Sequence, residues 1–164
     1  MSKRRKKQAA PVRHLSTAPL PARLMPGFSD LPLVFTDASR LRHGGLSAVL
    51  YADAAGEPLT FTRSVPLDGS NELELRAAVF GLEQADRLYP GMAFALFSDN
   101  LDAIRRLARA KALGSAQDAE LGKRFPGLPL DAWLAQANLH WIKGHGTCRG
   151  NALADAQARA AAGA

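Results

Sequence analysis

Two stretches of the chain are apolar at almost every consecutive position: LPLVFTD, residues 31–37, and MAFALFS, residues 92–98. A strand with one wet face alternates, whereas a strand covered on both faces does not, so both runs predict central strands. After the short loop RLRHGG, the segment LSAVLYAD predicts a second strand. Ala54-Ala55-Gly56 then turns the chain into a third, LTFTRSV, giving three hairpin-connected antiparallel strands. From Asn71 the apolar period lengthens to that of a helix, which the pattern carries to about Leu88. Ser70 or Asn71 is its expected cap, and Pro90-Gly91 its stop. The run at 92–98 enters a helix over Leu101–Leu113 through Ser98, Asp99 and Asn100, and the stretch from Gly114 to Pro129 leaves room for a short helix. LDAWLAQA predicts a helix, NLHWIK a last strand, KGHGTCRG a flexible loop, and Asn151 to Ala162 an Ala-rich closing helix. The order predicts an α/β fold, a mixed five-stranded sheet flanked by helices. Trp133 and Trp141 both lie on apolar periodic segments, which favours core packing over a base-stacking role.

Charge changes the picture at one end only. Residues 1–30 hold seven Lys or Arg against one acid, Asp30, which is the entire net charge of +6. Residues 31–164 sum to zero. The expected organisation is therefore a basic, Pro-punctuated, unstructured tail over residues 1–30, followed by one domain over 31–164, since 164 residues suit a single core. A single-sign block such as Lys3, Arg4, Arg5, Lys6 and Lys7 suits an arm for a polyanion, with salt-dependent contacts blind to sequence. An import signal, a transit peptide or a merely solubilising tail would share its composition. No apolar run approaches the ~18 residues of a membrane span, and the lone Cys148 cannot form an internal disulfide. The expectation is a soluble, cytoplasmic protein.

The candidate chemistry is acidic. Asp37 and Asp99 each close a buried strand, and ligands of open α/β sheets bind beyond the carboxyl ends of parallel strands. A helix N-cap would also account for Asp99, with Asp102 as its capping partner, and an Asx turn for Asp37. On the helix from Asn71, Glu72 precedes Arg76 by four residues and Glu83 precedes Arg87 by four, the spacing of solvated ion pairs. Glu74 has no such partner, and its face continues through Ala78, Gly81 and Ala85, small residues that permit close approach to a sheet. A buried, unpaired carboxylate is costly, and a metal ion would relieve that cost. Asp155 lies on the final helix, and His145 in the Gly-flanked loop Gly144-His145-Gly146. Taken singly, Asp155 would be read as an ordinary charged residue on a helix, whereas for His145, in a polar loop just after a strand, a surface histidine without a role is the minority reading.

Together the segments FTDAS, NELELRAAVFGL, LFSDN and WIKGHGTCRGNALAD resemble the type 1 ribonuclease H family over residues 31 to about 162. The resemblance implies a ribonuclease H-like fold and an endonuclease that cuts the RNA strand of RNA/DNA hybrids, leaving a 5′-phosphate and a 3′-hydroxyl. It implies Asp37, Glu74, Asp99 and Asp155 as ligands of two Mg²⁺ ions, with Mn²⁺ a substitute, and His145 as an aid to proton transfer or product release. Such hard cations want oxygen donors, which carboxylates supply. Asn71 matches a family position that touches bases, and Ser70 replaces a residue that is commonly Asn. Two departures stand out. The family's Gly-rich segment after the first acid is shortened to RLRHGG, and no basic, aromatic handle follows the fourth strand's helix. Arg105, Arg106 and Arg109 are candidates for part of that phosphate grip, Arg42 and His43 lie near the expected cleft, and the N-terminal arm could tether substrate. A monomer is expected. A non-catalytic hybrid-binding domain and another nuclease of the same fold remain as alternatives.

Overall fold

The structure, a computed structural model, describes residues 18–28, 30–144 and 148–164. Its strands are β1 (Leu33–Arg40), β2 (Gly44–Tyr51), β3 (Leu59–Val65), β4 (Phe94–Ser98) and β5 (Ala137–Trp141). Its helices are α1 (Ser70–Leu88), α2 (Leu101–Leu113), α3 (Ala119–Arg124), α4 (Leu130–Gln136) and α5 (Arg149–Gly163). One five-stranded sheet runs in the order β3-β2-β1-β4-β5, antiparallel on the β2 side of β1 and parallel on the β4 side. Thus the doubly apolar runs do form the central strands β1 and β4. Alternate residues feed two cores. Val34, Leu96 and Phe94 pack with α1, α2 and α4, while Leu33, Phe35, Ala95 and Phe97 pack on the opposite face with Ala154 of α5. No helix among the described residues is long and apolar enough to cross a membrane.

The small-residue face of α1 does what its composition predicts. Ala77, Ala78, Gly81 and Ala85 are buried, and a Cβ on Gly81 would collide with Thr36 of β1. The glycine lets the helix backbone press onto the strand that carries Asp37, at the modest propensity cost of a helical glycine. Three local expectations give way to tertiary structure. Gly69, not Ser70 or Asn71, is the α1 N-cap, and Ser70 is the first helical residue. Neither expected i,i+4 pair forms: Glu72 meets Arg124 of α3 at 2.8 Å and Glu83 meets Arg63 of β3 at 3.2 Å. Helical spacing shows which side chains can meet along a helix, but not which arrive from elsewhere.

The boundary expected near Leu31 lies too late. Leu20 is fully buried, and Leu24, Met25 and Phe28 pack against the same core as Phe35 and Phe97. The Phe28 ring stands edge-on to Phe97 at 5.2 Å and to His140 at 4.8 Å. This segment also caps α5, which has no side-chain cap: Arg149 N donates to Ala18 O and Gly150 N to Pro19 O, both at 3.1 Å. Net charge hides these apolar anchors, because Arg23 counts with the basic block while the leucines around it count for nothing. The six bases of residues 1–17 lie outside the described residues. Leu20→Ala is expected to lower the unfolding free energy in urea by about 2–4 kcal/mol. A change within ~0.5 kcal/mol, the scale of an exposed substitution, would mean the segment is not packed.

Trp133 is buried as expected, but Trp141 is 49% exposed. It ends β5, an edge strand, where only one neighbour covers it, and its indole Nε1 donates to the Asp99 carbonyl at 3.0 Å. Buried Cys148 is a free thiol that burial pushes above its usual range.

Candidate active site

The parallel register assembles the site. Phe35 pairs with Phe97, so Asp37 and Asp99, each two residues further on, emerge side by side where the β1–β4 pairing stops; β4 ends there, but Asp37 does not close its strand as expected, because β1 runs on to Arg40 paired with β2. Asp99 is not the cap of α2: that is Asn100, whose side chain accepts from Ala103 N at 2.8 Å. Glu74 reaches the same point from the first turns of α1. One ligand oxygen each of Asp37, Glu74 and Asp99 lies within 4.8 Å of the others.

Burial and mutual repulsion dominate the electrostatics. Asp37 is 5% exposed, although Ala38 N donates to its Oδ1 at 2.9 Å. Its carboxyl is pushed up to about 7, first by burial and then by the charge of Asp99. Glu74 is pushed up to about 10, again by burial first, then by Asp37 and Asp99. Each charge disfavours the ionised form of the other, so burial and repulsion together keep the two carboxyls from ionising readily side by side. The other Glu74 oxygen, Oε2, is buried without a hydrogen-bond partner. An all-oxygen set, one buried acceptor without a donor, and carboxyls that cannot all ionise unaided fit a hard divalent cation.

Asp155 stands apart from the three. Its Oδ1 accepts from Arg159 at 3.3 Å, and its side chain is 44% exposed. Even so, its charge contributes to raising Asp37. Ser47 fixes that proximity, since it pairs across the ladder with Asp37 and donates to the Ala154 carbonyl at 2.6 Å. His145 lies outside the described residues, as do Lys3, Arg4, Arg5, Lys6 and Lys7. The preceding Gly144 lies beside Asp99, where a Cβ would stand 3.2 Å from Asp99 Oδ2.

The expected nucleic-acid contacts divide. Ser70 is exposed beside Glu74. Asn71 is exposed and bonds to Asp102 at 3.2 Å and Asn100 at 3.1 Å, tying α1 to α2. Arg105 is exposed. Arg106 departs from the expectation: its guanidinium forms a bidentate pair with Asp118 at 2.8 and 3.1 Å, fastening α2 to the start of α3. Helix spacing places both arginines outward but cannot reveal an acid arriving twelve residues later. Sequence reasoning also missed Arg23, which the folded N-terminal segment brings to the pocket beside Trp141.

No family model and no curated protein matches the chain by sequence. Solved structures do match. The N-terminal RNase H domain of a Mycobacterium tuberculosis protein superposes with a TM-score of 0.62 at 18% identity, over 82% of this chain and 95% of that one. RNase H1 from Halobacterium salinarum gives 0.58 at 18% identity, over 79% and 96%. LC11-RNase H1, a protein isolated from compost and crystallised with an RNA/DNA hybrid, gives 0.53 at 15% identity, over 77% and 92%. Strand order, helix placement and these superpositions agree: the chain has the ribonuclease H fold.

Proposed function

We propose that the chain is a type 1 ribonuclease H, a monomeric cytoplasmic endonuclease that hydrolyses the RNA strand of RNA/DNA hybrids. The observation that carries this reading is the convergence of Asp37 of β1, Glu74 of α1 and Asp99 just after β4, in a fold whose solved examples include one bound to a hybrid. Asp37 and Asp99 would anchor two divalent ions, Mg²⁺ or Mn²⁺, with Glu74 and Asp155 each completing one site. Held by these carboxylates, such ions would supply an activated water and stabilisation of the departing oxygen in an in-line displacement. Water adds to phosphorus, the bond to the 3′-oxygen breaks, and the products carry a 5′-phosphate and a 3′-hydroxyl. Burial and mutual repulsion favour the protonated forms of Glu74 and Asp37, so uptake of a cation would release protons from the cluster. His145, two residues beyond Lys143, would receive or return a proton near the leaving group. Ser70 lines a small pocket with Glu74, and Asn71 follows it on the first turn of α1, the side where a shallow minor groove bearing 2′-hydroxyls would lie.

The test compares cleavage of a hybrid, duplex RNA and duplex DNA of one sequence, with Mg²⁺ and with Mn²⁺. The RNA strand of the hybrid alone is expected to be cut, with 5′-phosphate ends. Tight hybrid binding without cleavage would instead indicate a binding domain, and cleavage of duplex DNA another nuclease of this fold.

The arm is the proposed tether, because residues 18–164 carry no net charge while residues 1–17 carry six bases and no acid. Deleting residues 1–17 is expected to weaken hybrid binding at low salt. It should also reduce the log-log salt slope by about 3–5, in proportion to the number of phosphates the arm neutralises. Unchanged affinity would rule the arm out as a tether. The deletion must stop at 17, since residues 18–28 belong to the packed core.

A further inference from the structure

Beside Asp99, on the far side from α1, a pocket of about 180 Å³ opens between the N-terminal segment and β5. Pro21, Leu24 and Ile142 give it an apolar lining, Trp141 forms one wall, and Arg23 and Lys143 border it. Among the described residues neither cation forms an ion pair, and residues 1–17, 29 and 145–147 contain no acid to neutralise them. The half-exposed indole is held in place, because its N–H is committed to the Asp99 carbonyl. An aromatic wall fixed in advance loses little entropy when a flat partner lands on it.

These features specify an occupant. Two unpaired cations next to a cluster of carboxylates create a steep change of potential, so an anion is drawn to the Arg23–Lys143 side and repelled from the acids. An aromatic face and apolar lining beside them suit a planar ring or a sugar. An aromatic platform with a basic border is how single nucleotides of a polynucleotide are gripped without regard to sequence. The space is smaller than the ~300 Å³ at which small-molecule sites begin, which favours one unit of a longer chain over a free ligand. Resting on the nuclease reading, we infer that this pocket holds one nucleotide of the cleaved strand next to the scissile phosphate. Its base or ribose lies on Trp141, and its phosphate lies between Arg23 and Lys143. The packed N-terminal segment then serves recognition as well as capping α5, because it delivers Arg23.

The full chain allows the test. With only two tryptophans, the Trp133→Phe variant leaves Trp141 as sole emitter. Adding a short RNA/DNA hybrid in EDTA at low ionic strength is expected to quench that emission as the anisotropy of the labelled hybrid rises. AMP at equal nucleotide concentration should quench far less. In cleavage assays, Trp141→Ala and the double variant Arg23→Ala/Lys143→Ala are each expected to raise KM about tenfold, with kcat within about twofold. Trp141→Phe keeps a ring but cannot donate to Asp99, so it should restore KM. If Phe behaves as Ala, Trp141 acts only by positioning Asp99, and the inference fails. It also fails, with the nuclease reading intact, if the hybrid binds and is cut while Trp141 emission stays unchanged. A chain that neither binds nor cuts the hybrid overturns both.

Discussion

Asp37→Asn is expected to reduce hybrid cleavage by about 10³-fold or more while leaving the fold intact. Asp37 is the most buried of the three clustered acids and touches both others electrostatically. Charge stabilisation by a catalytic ion contributes several kcal/mol, and each 1.36 kcal/mol lost is a factor of ten in rate. The backbone bond from Ala38 N can pass to the amide oxygen, so circular dichroism should change little, and loss of a buried, repelling charge should raise the urea midpoint of the metal-free protein. Asp155→Asn should cost far less, about tenfold, because Asp155 lies outside the 4.8 Å cluster and is partly neutralised by Arg159. Equal losses at the two positions would mean that both acids meet the ions alike in the working state. A loss below tenfold at Asp37 would remove it from the chemistry.

In the metal-free protein, thermal stability is expected to fall as pH rises, and Mg²⁺ to reverse the fall. Unfolded Asp and Glu titrate near ~3.9 and ~4.3, whereas folded Asp37 and Glu74 are pushed up to about 7 and about 10. Between those limits the folded chain binds more protons than the unfolded one, so stability declines with rising pH. The decline begins near pH ~4, runs through about 7 for Asp37 and continues towards about 10 for Glu74. At an effective dielectric near 20, two full charges 4.8 Å apart repel by about 3 kcal/mol, which adds to burial, the larger cause of the raised values. Calorimetry in EDTA should show Tm falling from pH 5 to 9, and added Mg²⁺ should raise Tm more at the alkaline end. Asp99→Asn removes one charge from the cluster and should raise the metal-free Tm at pH 8 by about 3–6 °C, a relief of ~1–2 kcal/mol in a domain this size. A metal-free variant that melts below the wild type would show that the acids do not repel one another.

The parts of this fold that can be read from sequence are those fixed by local periodicity. Runs apolar on both faces mark β1 and β4, and the small-residue stripe Ala78-Gly81-Ala85 marks the face of α1 on the sheet. Glu74 stands out because its stripe lacks a basic partner. The meeting of Asp37 with Asp99 needs only that their strands be parallel neighbours in register, which the order of elements already suggests.

What escapes depends on contacts distant in sequence. Nothing near Leu20 announces that Ala18 and Pro19 cap a helix starting at Arg149. Arg106 is spaced for an exposed face, yet Asp118 claims it. Trp141 follows the apolar rhythm of its strand, but that strand lies at the sheet edge, where the rhythm no longer implies burial. The tightness of the acid cluster is partly legible: motifs order four acids, and the fold draws three within 4.8 Å while Asp155 pairs along its own helix.

The most direct test of the central claim is anomalous diffraction from crystals grown with Mn²⁺. A strong peak is expected in contact with carboxylate oxygens of Asp37 and Asp99, with Glu74 turned towards it. Well-ordered crystals with manganese bound elsewhere and none between Asp37, Glu74 and Asp99 would contradict the claim.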